Sequence, residues 1–521
     1  MDMCVISHVI QKTYQDSVRL MQVSEQLSNL DAVQRTFVAM GTDANKRVLD
    51  QIGLLTDKIK EAGANDLMFV VEADSKDVAK GVLAQAKDLL SGQNEKVSTD
   101  SSLKILPQTF EQAHKEFPEA NMMFISVPGP YASYEASKAL QADMNVMLFS
   151  DHISLEDELT LKKIAVQKGL LLMGPGCGTA VINGIALGFA NVLERGPVGI
   201  VGASGTGLQE LTTLLDRGGA GISQVIGVGG RDLSDTIGGT MMRQGISMLS
   251  SDPNTELIVL ISKPPSITVA EKILNVARSS NKPVIVNFLG KAKIYEEDGI
   301  IFTKTIEDTS EAVLALISKG TGPVRSANSD TLNKMAKNER EQLANGQKYI
   351  RGLFSGGSLC DEAIDVLVEY FQGIYSNVSV LKKWALKNGR TSKQHCCIDM
   401  GEEEFTQSRP HPMIDVSLRQ ERIIKEASDP SVAVILIDVV IGHGAHENPS
   451  SILAETIHQA KEIAIKNNRY LSVVAHVCGS EKDPQDLHKQ EDCLRDVGAL
   501  VLPTNAQAAK VAAAVVGARL K

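Results

Sequence analysis

The chain has 521 residues, of which 43% are apolar, 22% charged and 4% aromatic, and its formal net charge is −10. At roughly 150 residues per domain, this length predicts about three domains. The proportions are those of an ordinary globular protein. The acidic balance argues against a nucleic-acid-binding protein, which usually presents a basic face.

Targeting signals and cysteine usage point to the cytoplasm. The first ten residues show no basic stretch ahead of an apolar one, so we expect no signal peptide. The longest apolar run, Val432–Ile441, contains Asp438 and is too short for a membrane span of roughly 20 residues. The seven cysteines are scattered, which favours reduced thiols over a disulfide framework. We therefore expect a cytoplasmic protein with neither membrane nor nucleic acid as a partner.

Short β-rich runs alternate with helical stretches through most of the chain, which predicts α/β domains with parallel sheets. The first series has predicted strands over Leu67–Val71, Met122–Val127, Val146–Phe149 and Leu170–Met173, and helices over Lys76–Leu90 and Ala132–Ala142. The second series has predicted strands over Pro197–Ala203, Val225–Val228, Leu257–Ile261 and Val284–Phe288, and helices over Leu208–Arg217 and Ile267–Ser279.

Apolar residues become rare between Ser318 and Gly346, which predicts a linker with some helix near Asp330–Leu343. The alternation then resumes over Ile350–Phe354, Leu359–Phe371, Val432–Val440, Leu453–Lys466, Leu471–Val477 and Leu500–Leu502. We therefore predict domains over residues 1–195, 196–318 and 347–521, with a linker over 319–346.

A glycine-rich turn, Gly202–Gly207, joins the first strand of the second domain to a helix. Such a turn collects backbone N–H groups at the positive end of the helix dipole, and Gly205 and Gly207 let the backbone approach a ligand closely. Ser204 and Thr206 add hydroxyl donors. No Gly-Lys-Ser/Thr follows, so this is not a Walker A loop. The pattern favours an anion site, and the alternative is a bare turn capped by serine.

The third domain begins as the second does. Ile350-Arg-Gly-Leu-Phe-Ser-Gly-Gly-Ser leads into a helix, as Val198-Gly-Ile-Val-Gly-Ala-Ser-Gly-Thr does. Gly356, Gly357 and Ser358 are then the counterparts of the first turn. The similarity indicates two related modules.

The second turn is the weaker candidate for an anion site. Three acidic residues follow it in the early turns of the predicted helix, namely Asp361, Glu362 and Asp365. Carboxylates at a helix N-terminus offset the dipole themselves. We therefore expect less attraction for an anion at this turn.

Two histidines, His443 and His446, flank Gly444-Ala445 just after the predicted strand Val432–Val440. Ligands bind at the carboxyl ends of strands in open α/β sheets, so either histidine is a candidate for catalysis or substrate binding. A structural loop is the alternative. The His-x-x-His spacing alone does not make a metal site, and we predict none.

Further candidates come from other loops. Arg231 follows Gly229-Gly230 after a strand and could hold a carboxylate or phosphate with two hydrogen bonds, or else form a local ion pair in an exposed turn. His411 is a candidate substrate-binding residue, although its pairing with Asp415 could be a simple loop hydrogen bond. Lys263 precedes two prolines and could face the same site, but the prolines more readily mark the end of a strand.

Several segments resemble the α-subunit of succinyl-CoA synthetase and the ADP-forming acyl-CoA synthetases: Gly174-Pro-Gly-Cys-Gly-Thr, Val198-Gly-Ile-Val-Gly-Ala-Ser-Gly-Thr and Ile226-Gly-Val-Gly-Gly-Arg-Asp. Others resemble signatures of the bacterial FdrA protein family, a divergent branch of that superfamily: Tyr14-Gln-Asp-Ser-Val, Met40-Gly-Thr, Leu148-Phe-Ser-Asp, His411-Pro-Met-Ile-Asp and Asp438-Val-Val-Ile-Gly-His-Gly-Ala-His. The resemblance covers nearly the whole chain except the linker.

The resemblance implies a CoA-binding-like Rossmann domain followed by two flavodoxin-like, succinyl-CoA ligase-like domains. The third domain is similar to the ligase domain of the synthetase β-subunit. In the synthetases, two facing helix N-termini hold the phosphate that is transferred, and Glu210 falls where they have a glutamate beside the phosphorylated histidine. By this resemblance the two halves of the phosphate site are Ser204, Gly205 and Thr206, and Gly356, Gly357 and Ser358.

Two departures from the synthetases change the expected chemistry. Their phosphorylated histidine lies in a Gly-His-Ala-Gly loop, but Asn287-Phe-Leu-Gly-Lys-Ala-Lys contains no histidine, and none occurs between His152 and His395. A phosphohistidine relay therefore lacks its nucleophile. Their CoA loop is glycine-rich, whereas Lys12-Thr-Tyr-Gln-Asp-Ser-Val contains no glycine, which argues against CoA binding. An ATP-grasp domain is also missing, so nucleotide-driven ligation would need another subunit.

FdrA-like proteins have been linked to anaerobic allantoin breakdown, and the resemblance implies a subunit of an oxamate carbamoyltransferase, within a hetero-oligomer or a homodimer. Such an enzyme converts oxalurate and phosphate to oxamate and carbamoyl phosphate. Attack by phosphate on the ureido carbonyl needs a bound anion, oxyanion donors and a proton for the leaving amide. Ser204–Gly207 would hold phosphate, Arg231 a carboxylate, and His443 or His446 the proton. The alternatives are an acyl-CoA synthetase-type ligase subunit and a non-catalytic scaffold.

Overall fold

The computed structural model describes residues 4–13, 15, 20, 23, 24, 26, 27, 30, 32–91, 107–289, 294–317, 329–379, 381–406 and 409–520. Internal contacts group the chain into two compact units, one of Met1–Leu106 with Thr406–Pro410 and one of Pro107–Phe405 with His411–Lys521. The four-part division predicted from the sequence stays a prediction. Of the loop predicted to replace the CoA loop, Tyr14 and residues 16–18 lie outside the described residues, as do residues 319–328 of the linker.

The smaller unit contains an antiparallel sheet with helices. Its elements are β1 (Cys4–Ile10), β2 (Val33–Met40), β3 (Leu67–Ala73), α1 (Asp43–Gln51), α2 (Asp57–Lys60) and α3 (Lys76–Ser91). Strand β3 lies between β1 and β2 and is antiparallel to both. The strand expected at Leu67–Val71 is present, but the parallel pairing predicted for it is wrong. Every residue of β3 is buried, which explains its continuous apolar run, and such a run does not encode strand direction.

The larger unit begins with a small parallel sheet in the order β4-β5-β6. Its elements are α4 (Phe110–Glu116), β4 (Met122–Ile125), α5 (Gly129–Gln141), β5 (Asn145–Leu148), α6 (Leu155–Gln167) and β6 (Leu172–Met173). The register runs from Met122 opposite Asn145 to Ile125 opposite Leu148. The parallel pairing predicted for these strands is confirmed.

The first ligase-like module is an eight-stranded sheet in the order β13-β14-β12-β11-β9-β10-β7-β8. Its strands are β7 (Thr179–Ile182), β8 (Ile185–Gly188), β9 (Arg195–Ala203), β10 (Ile222–Gly227), β11 (Leu257–Ser262), β12 (Val284–Phe288), β13 (Tyr295–Glu297) and β14 (Ile300–Phe302). Its helices are α7 (Gly205–Arg217), α8 (Thr240–Ser251), α9 (Ile267–Arg278) and α10 (Ile306–Ile317). The central strands β14, β12, β11, β9 and β10 are parallel, while β7 and β13 join antiparallel.

The second ligase-like module is a six-stranded, fully parallel sheet in the order β16-β17-β15-β18-β19-β20. Its strands are β15 (Tyr349–Phe354), β16 (Tyr375–Ser376), β17 (Cys396–Asp399), β18 (Val432–Val440), β19 (Ser472–Cys478) and β20 (Leu500–Leu502). Its helices, with the linker helix α11 (Ser329–Arg340), are α12 (Gly357–Leu367), α13 (Glu403–Thr406), α14 (Ser417–Ala427), α15 (Pro449–Lys466), α16 (Leu487–Asp496) and α17 (Asn505–Val515). The helix predicted within the linker is therefore confirmed.

Both modules share one strand order. Numbered along each module, the parallel strands follow the flavodoxin-like order 2-1-3-4-5, with β16 added at one edge of the second sheet. The order reverses between β9 and β11 in the first module and between β15 and β18 in the second. Ligands bind outside the carboxyl ends of the strands at such a point. The predicted fold class, α/β with parallel sheets and two flavodoxin-like modules, is confirmed, and it places both glycine-rich turns at a switch point.

Across the described ranges, every helix is too short or too polar to cross a lipid bilayer.

Candidate functional site

The two glycine-rich turns meet. Helix α7 starts after Ser204 and helix α12 starts after Gly356, and the hydroxyl oxygens of Ser204 and Ser358 lie 2.5 Å apart. The backbone N–H of Ser358 donates to Oγ1 of Thr206 over 3.3 Å. A Cβ built on Gly356 would lie 2.9 Å from the Thr206 side chain, so the first turns of the helices are in contact. We call Ser204–Gly207 with Gly356–Ser358 the helix junction.

On the α7 side of the junction, the backbone N–H groups at the helix N-terminus donate to no other described group of the protein. Ser204 makes no side-chain capping bond, because its hydroxyl is turned toward Ser358. Within the described part of the chain, the N–H groups of Gly205, Thr206 and Gly207 meet no acceptor. Gly205 is exposed at the surface. The turn is therefore not the serine-capped turn of the alternative interpretation, and it offers unused donors of which Gly205 is exposed, Thr206 partly exposed and Gly207 buried.

On the α12 side, a buried carboxylate accepts some of the backbone N–H groups at the positive end of the helix dipole. Asp438 of β18 accepts the N–H groups of Ser355 and Gly356, each over 2.7 Å. Arg419 holds the same carboxylate at 3.1 Å, and all of these side chains are buried. This turn consequently has fewer donors left for a ligand than the α7 turn has.

The acidic residues early in α12 face other partners. Asp361 forms an ion pair of 2.9 Å with Lys263, and Glu362 accepts the N–H of Ile306 over 2.6 Å. The expectation that these carboxylates offset the dipole of their own helix is wrong for Asp361 and Glu362, because Asp438 occupies that position. Lys263, following β11, thereby bridges the two modules.

Asp399, at the carboxyl end of β17, is a site residue that the sequence did not single out. Its Oδ1 accepts the N–H of Gly401 over 2.8 Å, and a Cβ built on Gly357 would lie 2.5 Å from Oδ2. Burial, followed by the charge of Glu402, raises the pKa of Asp399 to about 7. The signal available in the sequence was an aspartate at the carboxyl end of a buried parallel strand, which is where ligands bind in α/β sheets.

His411 lies next to the same loop. A Cβ built on Gly401 would lie 2.7 Å from its Nε2, and its Nδ1 accepts the N–H of Met413 over 3.3 Å. The ring packs against Phe189, with 6.0 Å between centroids. Burial lowers the pKa of His411 to about 4, so the ring is neutral near pH 7 and Nε2 carries its proton. A neutral donor can hydrogen-bond a substrate but supplies no positive charge.

His443 and His446 lie in the loop after β18. The backbone N–H of His443 donates to the carbonyl of Ala190 over 2.8 Å, and Nδ1 of His446 accepts the N–H of Asn448 over 3.0 Å. Their predicted role in proton transfer stays a prediction.

Arg231 is itself exposed and pairs with the outer end of a buried ion network. It forms an ion pair of 2.9 Å with Glu158 and donates to the carbonyl of Ile153 over 2.8 Å. Lys162 joins Glu158 to Asp232, whose carboxylate also accepts the first N–H groups of α8. The structure thus shows the local ion pair that was the alternative interpretation. The predicted role of Arg231 in binding a substrate carboxylate stays a prediction.

Glu210 lies inside the protein, away from the exposed face of the junction. Its Oε2 is 2.7 Å from Nε2 of His476 on β19, and both side chains are 1% exposed. His476 was not among the predicted site residues, although a histidine within an otherwise apolar strand was a usable signal. This pair joins the two ligase-like modules.

Three family models match parts of the chain. One described as CoA-ligase matches residues 353–515, and one described as CoA binding domain matches residues 194–290. A third, described as AllF, heavy metal-associated domain, matches residues 3–105. The first two coincide with the modules that meet at the helix junction.

The residues of the smaller unit do not fit a heavy metal. Soft metals are held by cysteine, methionine and histidine, and residues 1–106 contain a single cysteine and a single histidine, Cys4 and His8. Both lie on β1, four residues apart, which at 3.3 Å per residue is roughly 13 Å. They cannot share one ion, and we derive no chemistry from a metal here.

Several known proteins are similar in sequence to part or most of this chain, and solved structures align with it. The chain is 32% identical over 180 residues to a succinate–CoA ligase [ADP-forming] subunit alpha-2 of Trichomonas vaginalis, covering 33% of this chain and 57% of that subunit. A dinucleotide-forming acetyl-coenzyme A synthetase of Ca. Korarchaeum cryptofilum aligns with 76% of this chain and 82% of its own, at 16% identity and a TM-score of 0.32. The Escherichia coli protein YahF is 45% identical over 491 residues, 94% of each chain. With this extent of identity, the chain belongs to the same family as YahF, an FdrA-like, divergent branch of the succinyl-CoA synthetase superfamily.

Proposed function

We propose that this chain is the phosphate-binding subunit of a carbamoyl-transfer enzyme, which converts oxalurate and phosphate to oxamate and carbamoyl phosphate. The observation that carries the proposal is the helix junction, where Ser204, Thr206 and Ser358 meet at two helix N-termini. The match of residues 3–105 to the AllF domain supports a place in allantoin breakdown.

Electrostatics favours an anion at the junction. Two helices that meet with their positive ends repel each other, and an anion between or beside those ends relieves the repulsion. The N–H groups of Gly205 and Thr206 are donors on exposed or partly exposed residues, and the hydroxyls of Ser204 and Ser358 can turn toward the same anion. Hydrogen bonds to a charged group contribute roughly 1.5–3 kcal/mol each.

The anion is proposed to be a free reactant and not a phosphate carried on the protein. The sequence between His152 and His395 contains no histidine to be phosphorylated beside the junction. Phosphate bound by α7 would attack the carbamoyl carbon directly, and the same donors would stabilise charge that develops on oxygen. Partner subunits would complete the oxalurate site.

A second candidate is a subunit of an acyl-CoA synthetase. It is favoured by the two family models described as CoA-ligase and CoA binding domain and by the succinate–CoA ligase relatives. This function requires CoA binding and a phosphorylated residue. Calorimetry with CoA and intact-mass measurement after incubation with ATP would reveal both, and a negative result in each would leave the carbamoyl-transfer proposal standing.

The test of the proposal is formation of oxamate and carbamoyl phosphate from oxalurate and phosphate by the chain with its partner subunits. The double variant Ser204→Ala with Thr206→Val should lose phosphate affinity and turnover by at least tenfold. The matched control is Ser247→Ala with Thr160→Val. Both of these hydroxyls are exposed, and each donates to a carbonyl of its own helix. An inactive wild-type complex, or a fully active junction variant, would contradict the proposal.

A further inference from the structure

Asp399 lies at the carboxyl ends of the strands, near the points where the strand order of the two modules reverses. It pairs with Phe354 in the register of β15 and β17, so its carboxyl group lies beside the turn that starts α12. Oδ2 faces the backbone of Gly357, and it accepts no hydrogen bond within the described ranges. Oδ1 is fixed by the N–H of Gly401. One oxygen is therefore anchored, while the other faces the helix junction.

Charged groups from three elements surround this carboxyl group. Glu402, from the turn after β17, and Asp361, from α12, disfavour its ionised form, as burial does most of all. Lys263, after β11, and the N–H of Gly401 favour the ionised form. The result is a pKa of about 7, at which acid and base forms are both populated near neutrality, as proton transfer requires.

We propose that Asp399 carries the proton in the carbamoyl transfer: it donates to the leaving amide nitrogen and receives the proton of the attacking phosphate. This role rests on the proposed function. An oxygen of hydrogen phosphate bonds to the carbamoyl carbon, and the bond from that carbon to the oxamate nitrogen breaks. The carboxyl proton moves to the nitrogen, while the hydroxyl proton of the phosphate returns to the carboxylate. Oxamate and carbamoyl phosphate leave, and Asp399 is again protonated.

Asp399 suits this role better than the neighbouring His411. The pKa of His411 is about 4, so its ring is neutral near pH 7 and does not act as a cationic acid. An anion beside Gly357 also repels the ionised form of Asp399, so bound phosphate would favour the protonated acid.

The first experiment measures this repulsion on the chain alone. Sulfate is the probe, because its charge does not change between pH 6 and pH 8. Wild-type affinity, measured by calorimetry, should fall severalfold from pH 6 to pH 8 as Asp399 ionises. The variant Asp399→Asn keeps the acceptor for Gly401 and should bind sulfate equally at both pH values.

The matched control for that experiment is Asp252→Asn. Asp252 also accepts an N–H two residues ahead, that of Asn254 over 3.0 Å, but it lies in the first module, before the amino end of β11. This variant should reproduce the wild-type pH dependence. A dependence that survives in Asp399→Asn, or the absence of sulfate binding at pH 6, would overturn the placement of Asp399 at the anion site.

The second experiment measures turnover of oxalurate and phosphate by the complex. Asp399→Asn should lower kcat by 10²–10⁴, the usual contribution of general acid–base catalysis. Asp399→Glu should retain part of the activity, with a shifted pH profile. Unchanged kcat in Asp399→Asn would refute the proton role while the proposed function remains. An inactive wild-type complex would refute the proposed function and this role with it, whatever the sulfate result.

Discussion

Glu210 of α7 and His476 of β19 form a buried ion pair between the two ligase-like modules, with 2.7 Å between Oε2 and Nε2. The other ring nitrogen, Nδ1, lies 3.0 Å from the carbonyl oxygen of Leu502. Both partners of the ring are acceptors, so both nitrogens carry protons and the ring is cationic. The pair thus fixes α7, and with it half of the helix junction, against the second module.

Removing one partner of this pair should destabilise the larger unit strongly. Glu210→Gln leaves a buried cationic ring without its counter-charge, which typically costs about 3–5 kcal/mol of unfolding free energy. Urea unfolding followed by circular dichroism measures the loss. The double variant Glu210→Met with His476→Leu removes both charges and should recover most of the stability. A single variant as stable as the wild type would contradict the proposed role of the pair.

The stabilisation from this pair should depend on pH. Interaction with His476 lowers the pKa of Glu210 against the opposing effect of burial, and interaction with Glu210 raises the pKa of His476 against the same effect. Glu210 contributes to the free energy of unfolding above its unfolded pKa of 4.5. His476 contributes in full below its unfolded pKa of 6.5. The stabilisation that His476 contributes is lost as pH rises through its raised pKa.

The measurement is the difference in unfolding free energy between the wild type and the Glu210→Met, His476→Leu variant at pH 6 and at pH 9. The wild type should gain less from the pair at pH 9, because the unfolded state has by then released the histidine proton that the folded state favours. A difference that stays constant or grows toward pH 9 would rule out this interpretation.

Lys263 should set the working pH range of the site. Its positive charge lowers the pKa of Asp399, although burial and Glu402 outweigh it. In Lys263→Met the pKa of Asp399 should rise further. If the protonated carboxyl group is the acid, the part of the pH–rate profile in which turnover falls with rising pH should move to higher pH. The pH–rate profile of the complex tests this, with Lys272→Met on α9 as the control, and a shift of that part to lower pH would contradict it.

The stability effect of the same substitution should be small. Lys263 is half exposed and Asp361 is 20% exposed, so water screens their ion pair in part, and we expect a contribution near that of exposed pairs, about 0–1 kcal/mol. A change in the pH profile without a loss of stability would therefore separate an electrostatic role of Lys263 from a structural one.

Much of the fold could be predicted because continuous apolar runs mark buried parallel strands. The runs at Val432–Val440 and Leu500–Leu502 coincide with β18 and β20 to the residue. Leu67–Val71 gives the same signal, yet it belongs to the antiparallel β3. Burial on both faces makes the two cases look alike, since strand direction depends on connections that a local pattern does not contain.

The candidate site was predictable in part. The glycine-rich turns at Ser204 and Ser358 carry a local signal, because a strand, small residues and a helix follow in order. Asp399 and His476 were not singled out, since each acquires its role from residues distant in sequence, as His476 does from Glu210, 266 residues away. A single sequence contains the residue types but not these pairings.

Gly356 should be intolerant of a side chain for a steric reason. Its φ of −102° suits any residue, but a Cβ would lie 2.9 Å from three atoms of Thr206. Gly356→Ala must therefore push the first turns of α7 and α12 apart by a few tenths of an ångström. We expect phosphate affinity to fall about tenfold, which corresponds to ~1.4 kcal/mol.

Calorimetry with phosphate on the full chain measures that loss. Gly230→Ala is the matched control, because a Cβ there meets nothing within 4 Å among the described residues. Adding Thr206→Ser to Gly356→Ala removes the crowded Cγ2 while keeping the hydroxyl, so part of the affinity should return. If Gly356→Ala binds phosphate as the wild type does, close contact between the two helix N-termini is not what creates the anion site, and the α7 turn alone must account for binding.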